Sequence, residues 1–97
     1  AVTIALSSAL KEEVKFEKGG VKSANFDDYK IIRMNEIPEI EVHIVESKES
    51  MGGIGEPGVP PTAPAVGNAI FNATGVRIRR IPFTPERVLA AIKEKKA

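Results

Sequence analysis

Along the first ten residues Val2, Leu6 and Leu10 recur four apart, with Ile4 near the same face, and this spacing predicts an amphipathic helix. The pattern is already running at the first residue, with no cap or polar lead-in, as in a piece cut from a longer chain. From Glu13 to Glu17 polar and apolar residues alternate, Lys18-Gly19-Gly20 supplies turn chemistry, and Val21 and Lys22 resume the pattern. That order predicts a β-hairpin. After a mixed stretch at Asn25-Phe26-Asp27-Asp28-Tyr29 and the run Ile31-Ile32-Arg33-Met34, a strand is predicted where Ile40, Val42 and Ile44 alternate with Glu41 and His43. A sheet with this alternation is antiparallel and wet on one side.

Residues 46–61 break the pattern. Gly52, Gly53, Gly55, Pro57, Gly58, Pro60 and Pro61 crowd a segment that reads as neither helix nor interior strand. Loops beyond about 12 residues are uncommon in compact domains and tend to be functional or disordered. Beyond it, Ala63, Val66, Gly67, Ile70 and Phe71 follow helical spacing, so a helix is predicted over 62–74, with Thr62 as its cap and Gly75 as its left-handed end. Residues 76–82 alternate as a strand, and Thr84-Pro85-Glu86 gives a cap, a first-position proline and a first-turn acid for a last helix through Val88, Leu89 and Ile92. The expected fold class is α+β: a small antiparallel sheet with two or three packed helices, as a single segment over 1–97.

Composition narrows the function more than the fold. The 97 residues are 42% hydrophobic and 28% charged, as expected of an ordinary folded domain. So small a domain has no room for a large internal cofactor cavity, so a sizeable ligand would be shared with a partner. The net charge of +1 does not argue for nucleic acid or an anionic membrane. Its distribution is uneven, with seven basic and eleven acidic side chains in residues 1–75 against seven and two in 76–97. The absence of cysteine excludes disulfides, Cys-based zinc sites and thiol nucleophiles, and one histidine cannot build a His-rich metal site. No apolar run approaches the roughly 18 residues of a membrane span, and the N-terminus lacks signal-peptide order, so a soluble chain is expected.

One carboxylate stands apart by its position, Glu56 in GGIGEPG at residues 52–58. Glycines let backbone approach a ligand closely, and Pro57 restricts the residue that carries the acid. A loop of this kind can hold one carboxylate at a fixed point. From these residues alone, a flexible linker with a solvated Glu56 accounts for the loop at least as well.

The run GGIGEPGVPPTAPAVGNAIFNATG at 52–75, with RIRRIP at 77–82, resembles the C-terminal end of the molybdenum-binding large subunit of molybdenum hydroxylases. The likeness is to the isoquinoline 1-oxidoreductase and aldehyde oxidoreductase branch of the xanthine dehydrogenase family. SANFDDY at 23–29, RMNEIP at 33–38 and EVHIV at 41–45 resemble that branch as well, so the similarity covers nearly the whole chain. Two departures are visible: Asp27 stands where the family often has His, and Gly67 where Ala or Leu is common. Neither touches the glutamate.

The resemblance implies a segment of a larger molybdopterin-binding domain, with 46–61 as its active-site loop. It implies a hydroxylase in which the family glutamate, mapping onto Glu56, takes the proton from a molybdenum-held, water-derived hydroxyl as this attacks an electron-poor carbon. Hydride then passes to a sulfido ligand. The backbone at Gly53 and Gly55 is implied to lie near the molybdenum centre, with no metal ligand from this chain. The cofactor is implied to be a molybdenum–pterin, in the plain or cytosine-dinucleotide form, held mostly by residues outside the segment. Implied partners are the remainder of the large subunit, an iron–sulfur subunit, and a flavin or cytochrome subunit; the isolated segment should be inactive and prone to self-association. A cytoplasmic location is expected, or a periplasmic one if an N-terminal part carries an export signal.

Other features have plainer readings. His43 is expected on the polar face of a strand, and Phe26 and Tyr29 as packing residues. Asn72-Ala73-Thr74 forms a glycosylation sequon inside a predicted helix. Asp27 and Asp28 have no further ligands spaced to complete a metal site. Arg77, Arg79 and Arg80 alternate with isoleucine without an aromatic stacking platform, which argues for a solvated face over a nucleic-acid patch. The rival reading is a non-catalytic interaction module that presents 57–64 as a polyproline ligand, since Pro57, Pro60, Pro61 and Pro64 offer PxxP spacing. A helix beginning at Thr62 would remove that ligand.

Overall fold

The structure, a computed structural model, describes residues 1–96. In chain order it contains helix α1 (Val2–Leu10), strands β1 (Phe16–Glu17) and β2 (Gly20–Val21), a single 3-10 turn (Met34–Glu36), helix α2 (Val59–Thr74) and helix α3 (Pro85–Lys96). The strands pair antiparallel, Phe16 opposite Val21 and Glu17 opposite Gly20, around a turn in which Lys18 and Gly19 have positive φ. This is the α+β arrangement that the alternation and the helical stripes predict. The sheet is two strands wide.

α1 buries Ala5, Leu6, Ser7 and Ala9 and packs on α2. The buried face is rotated from the expected one: Val2 is 39% and Ile4 70% exposed. With Val76 and Phe83 these alanines and Leu6 form the core. Polar bonds fan out from the same helix. Ser7 Oγ accepts the Ile32 amide at 2.9 Å, the Tyr29 hydroxyl donates to Glu12 at 2.9 Å, and the Phe83 amide donates to the Ala9 carbonyl at 2.7 Å. The Glu12 carboxylate also pushes the Tyr29 phenol above its ordinary pKa.

α2 starts earlier than Thr62. Gly58 is its N-cap, and Pro60 and Pro61 lie in the first turn, where a missing N–H costs nothing and the fixed φ is already helical. Thr62 is not the cap. It lies inside the helix and donates its hydroxyl back to the Gly58 carbonyl at 2.6 Å. Gly75 ends the helix with φ 72°, its amide on the Phe71 carbonyl at 2.7 Å, as the sequence predicts. At α3 the Thr84 hydroxyl accepts the Arg87 amide at 3.3 Å, and Arg87 bonds Pro82 O at 3.0 Å and Glu13 at 2.7 Å.

Two expected strands are absent. Residues 76–82 run irregularly, with Arg77 turned onto Asn68 (2.7 Å) and stacked over the Phe71 ring at 4.4 Å. The Ile40–Ile44 stretch is irregular and exposed, and no strand lies beside either segment among the described residues. Phe26, expected to pack, is fully exposed at the tip of a loop that Asp28 ties to the Asn25 and Ala24 amides.

The segment covers itself poorly. A folded monomer of 10.4 kDa should expose about 5,400 Å² and have a radius of gyration of about 12.5 Å. The observed values are 8267 Å² and 16.7 Å. Residues 1–97 expressed alone should therefore self-associate or melt without a cooperative transition, as light scattering and calorimetry would show; a monomer with a sharp transition would contradict this.

The ion pair of Lys11 with Glu36 ties α1 to the 3-10 turn. Lys11, and secondarily the Arg33 amide at 2.8 Å, hold the Glu36 carboxyl below the usual glutamate range. A carboxyl depressed by folding stabilises the fold above its unfolded pKa, and that contribution disappears as pH falls through the folded value. An NMR titration of Glu36 should accordingly show a midpoint below that of a free glutamate, and Lys11→Met should move it upward. Coincidence with the free value would dismiss the clamp.

Candidate active site

The Glu56 turn is built from both helices that meet at it. The Val59 amide donates to the Glu56 carbonyl at 2.8 Å, closing the turn Glu56-Pro57-Gly58-Val59 directly into α2. Thr62 fixes the Gly58 carbonyl one turn further in. From the other side α1 presses on Gly58: a Cβ placed there would lie 3.3 Å from Ala1 Cβ and 3.5 Å from Val2 Cγ2. Gly58 is thus the glycine of this loop that the segment itself crowds: a side chain there would need its neighbours to shift by a few tenths of an ångström, although its φ of −76° suits any residue.

Gly53 and Gly55 differ. Neither has a positive φ, and an added Cβ at either meets nothing within 4 Å. Within this segment nothing demands glycine at these two positions, and their backbone is open to whatever approaches from outside.

Two shallow concavities share the turn. One, of about 500 Å³, is lined by Gly53, Gly55, Glu56, Pro57 and Pro60. The other, of about 390 Å³, is lined by Ala1, Ile4, Gly55, Glu56, Val59 and Pro60. Glu56 lies on both and is exposed. Four ion pairs occur among the described residues, Lys11–Glu36, Lys22–Glu17, Arg87–Glu13 and His43–Glu41, and none engages Glu56. A carboxylate held by its backbone and left without a cation can accept a proton from a group placed against it.

The remaining candidates fall where their neighbours hold them. His43 is exposed and 3.3 Å from Glu41. Thr74 of the sequon sits in α2 with its hydroxyl on the Ile70 carbonyl at 2.7 Å. Pro60, Pro61 and Pro64 are all helical, so 57–64 does not have the extended polyproline conformation the rival reading needs. Among the described residues no three His, Asp or Glu side chains converge to hold a metal, and no helix is long and apolar enough to cross a membrane. Sequence reading misses the seat of Gly58 against α1, because the two positions are more than fifty residues apart and no local pattern links them.

No protein-family model matches the chain. It is 44% identical to a nicotinate dehydrogenase subunit of Pseudomonas putida over 89% of its length, and 40% identical to the beta chain of isoquinoline 1-oxidoreductase of Brevundimonas diminuta over 82%. It is 38% identical, over 82%, to a putative xanthine dehydrogenase molybdenum-binding subunit of Escherichia coli. A 39% identical relative from Gluconacetobacter polyoxogenes is named a membrane-bound aldehyde dehydrogenase with pyrroloquinoline quinone. The chain spans only 7%, 10%, 12% and 11% of these relatives' respective lengths. The crystal structure of quinoline 2-oxidoreductase from Pseudomonas putida 86 superposes with a TM-score of 0.71 at 29% identity, over 96% of this chain and 13% of that one.

The fold and the matched relatives define the class: this chain belongs, as a segment, to the molybdenum-binding subunits of the xanthine dehydrogenase family. Within it, the isoquinoline 1-oxidoreductase and aldehyde oxidoreductase branch indicated by residues 23–82 is represented among the relatives.

The geometry makes one structural demand that can be measured. Gly58→Val adds branched bulk against Ala1 and Val2, an overpacking that costs about 1–3 kcal/mol. In the complete subunit the Val59 amide, which closes the Glu56 turn, should then exchange with solvent roughly tenfold to a hundredfold faster. Unchanged exchange would mean that α1 does not pin the turn.

Proposed function

We propose that this segment serves in the large subunit of a molybdenum hydroxylase, and that it contributes the general base, Glu56, for adding water-derived oxygen to an aldehyde or N-heterocycle carbon. The observation that carries the reading is the exposed Glu56 carboxylate on two concavities, its backbone held in the Glu56–Val59 turn, in a chain homologous to molybdenum-binding subunits.

The residues present fit a molybdenum–pterin cofactor supported mainly from outside the segment. The open backbone at Gly53 and Gly55 allows a flat group to approach closely, and the chain offers no side-chain cluster that would compete for the metal. When bound, that cofactor supplies the electron-accepting centre for the oxidation. Gly53 and Gly55 then line its near side. Pro57 biases Glu56 to an extended backbone, the turn aims its carboxylate, and one Oε atom accepts the proton of the attacking oxygen. The pterin is proposed in its plain or cytosine-dinucleotide form. Proposed partners are the rest of the large subunit and an iron–sulfur subunit, with a flavin or cytochrome subunit as a further electron carrier.

The deciding variant is Glu56→Gln in the complete enzyme, which preserves size and most hydrogen bonds and removes the base. Turnover should fall at least about a hundredfold, the low end for losing a general base. Substrate binding should change far less, because proton transfer occurs only on the way to the transition state. Molybdenum content should stay at the wild-type level. Near-normal turnover with molybdenum in place would remove Glu56 from the chemistry, and loss of the metal would make the loop a structural support. An enzyme purified with pyrroloquinoline quinone and no molybdenum would overturn the cofactor reading itself.

A further inference from the structure

Between the 3-10 turn and the Glu56 loop runs an arm that this segment does nothing to hold. No backbone–backbone hydrogen bond involves any residue of 38–55 among the described residues. Its apolar side chains are bare: Ile40 is 43% exposed, Val42 77%, Ile44 86% and Val45 86%. Water can satisfy the backbone of such an arm, but it gives no reason for the apolar residues.

The arm is nevertheless ordered in one respect. Glu41 and His43 approach to 3.3 Å, which places both side chains on one side of the chain. With the period of two that extended backbone imposes, Ile40, Val42 and Ile44 then point to the other. A single apolar ridge with unpaired amides and carbonyls on either flank is what a strand presents before it is added to a sheet.

We propose that residues 39–46 dock as an added β-strand on a sheet edge of the remaining part of the same large subunit, with Ile40, Val42 and Ile44 turned to its core and Glu41 and His43 to solvent.

Two observations select this occupant over a second copy of the segment. The exposed area exceeds that of a self-sufficient monomer by about 2,900 Å², and a standard interface buries only about 800 Å² on each partner, so one small dimer contact would leave most of it uncovered. The relatives supply some nine-tenths of their length beyond the matched part, and the segment, with the arm in its present path, superposes on 13% of one longer chain. The path of the arm is therefore compatible with a place inside such a chain.

Hydrogen–deuterium exchange on the complete enzyme tests this without any substitution. Alternate amides or more within 39–46 should exchange roughly a hundredfold or more slowly than in the isolated segment, as in a strand that opens only with its sheet. Val42→Asp in the complete enzyme should abolish that protection or sharply reduce the yield of assembled enzyme. Glu41→Gln, on the opposite face, should leave both unchanged. Rapid exchange throughout 39–46 in the complete enzyme would overturn the proposal, as would equal tolerance of Val42→Asp and Glu41→Gln. Protection that develops in the isolated segment as its concentration rises, and is no greater in the complete enzyme, would assign the ridge to a second copy and overturn it as well.

Discussion

Close approach of α1 to α2 is the constraint on which everything else in this segment depends. Gly58 at the mouth of α2 leaves room for it, since an added Cβ there would lie 3.3 Å from Ala1 Cβ and 3.5 Å from Val2 Cγ2. Once α1 is seated, its polar side chains and free carbonyls, with those of the residues just after it, become attachment points. Ser7 takes Ile32, Glu12 takes Tyr29, Glu13 takes Arg87, and the Ala9 carbonyl takes Phe83. Distant stretches of chain, most with little secondary structure of their own, are thereby placed relative to one nine-residue helix. The hydrophobic contribution is small, because Leu6 and Phe83 are the largest core side chains. Directional bonds from α1 and its C-terminal extension carry much of the organisation instead.

Which parts of this are legible in the sequence follows from range. The end of α2 at Gly75 and the start of α3 at Thr84-Pro85 are set by chemistry within four residues, and both lie where the pattern places them. The Lys18-Gly19 hairpin is equally local. The start of α2 escapes the pattern because prolines, which read as breakers, are acceptable in a first turn. The strand patterns at 40–44 and 76–82 are genuine alternations, but a strand exists only with a neighbour to bond to, and alternation in one stretch says nothing about whether the neighbour is in the same segment. The buried face of α1 departs from expectation for a related reason: size alone points Val2 and Ile4 inward, whereas Ser7 and Ala9 lie where distant residues Ile32 and Phe83 bond to the helix, which no local pattern announces.

At the candidate site the residue is legible and its support is not. The glycine-rich run singles out Glu56, but in the sequence its glycines look alike, and the structure separates them. Gly58 is crowded by the start of α1; Gly53 and Gly55 are not crowded by anything in this segment. The separation has a chemical meaning. Residues that a fold demands of itself aim the carboxylate, and residues that it leaves bare are available to something else.

General-base chemistry asks for two things, a fixed carboxylate and a site from which bulk water is kept out. In this segment the turn Glu56–Val59 fixes the backbone that carries the proposed base, and enclosure is lacking, since Glu56, Ile54 and Met51 are all open to solvent. The missing enclosure and the bare ridge at 40–44 share one explanation under the proposed docking of the arm, in which both are covered by parts of a longer chain outside this segment. Contacts that bury the arm would also bring foreign backbone up to the adjoining loop, because only a few residues separate Val45 from Gly52. On that proposal, docking of the arm would also help to cover the Glu56 loop. An aimed but solvated carboxylate is then what a segment without its counterparts has to show.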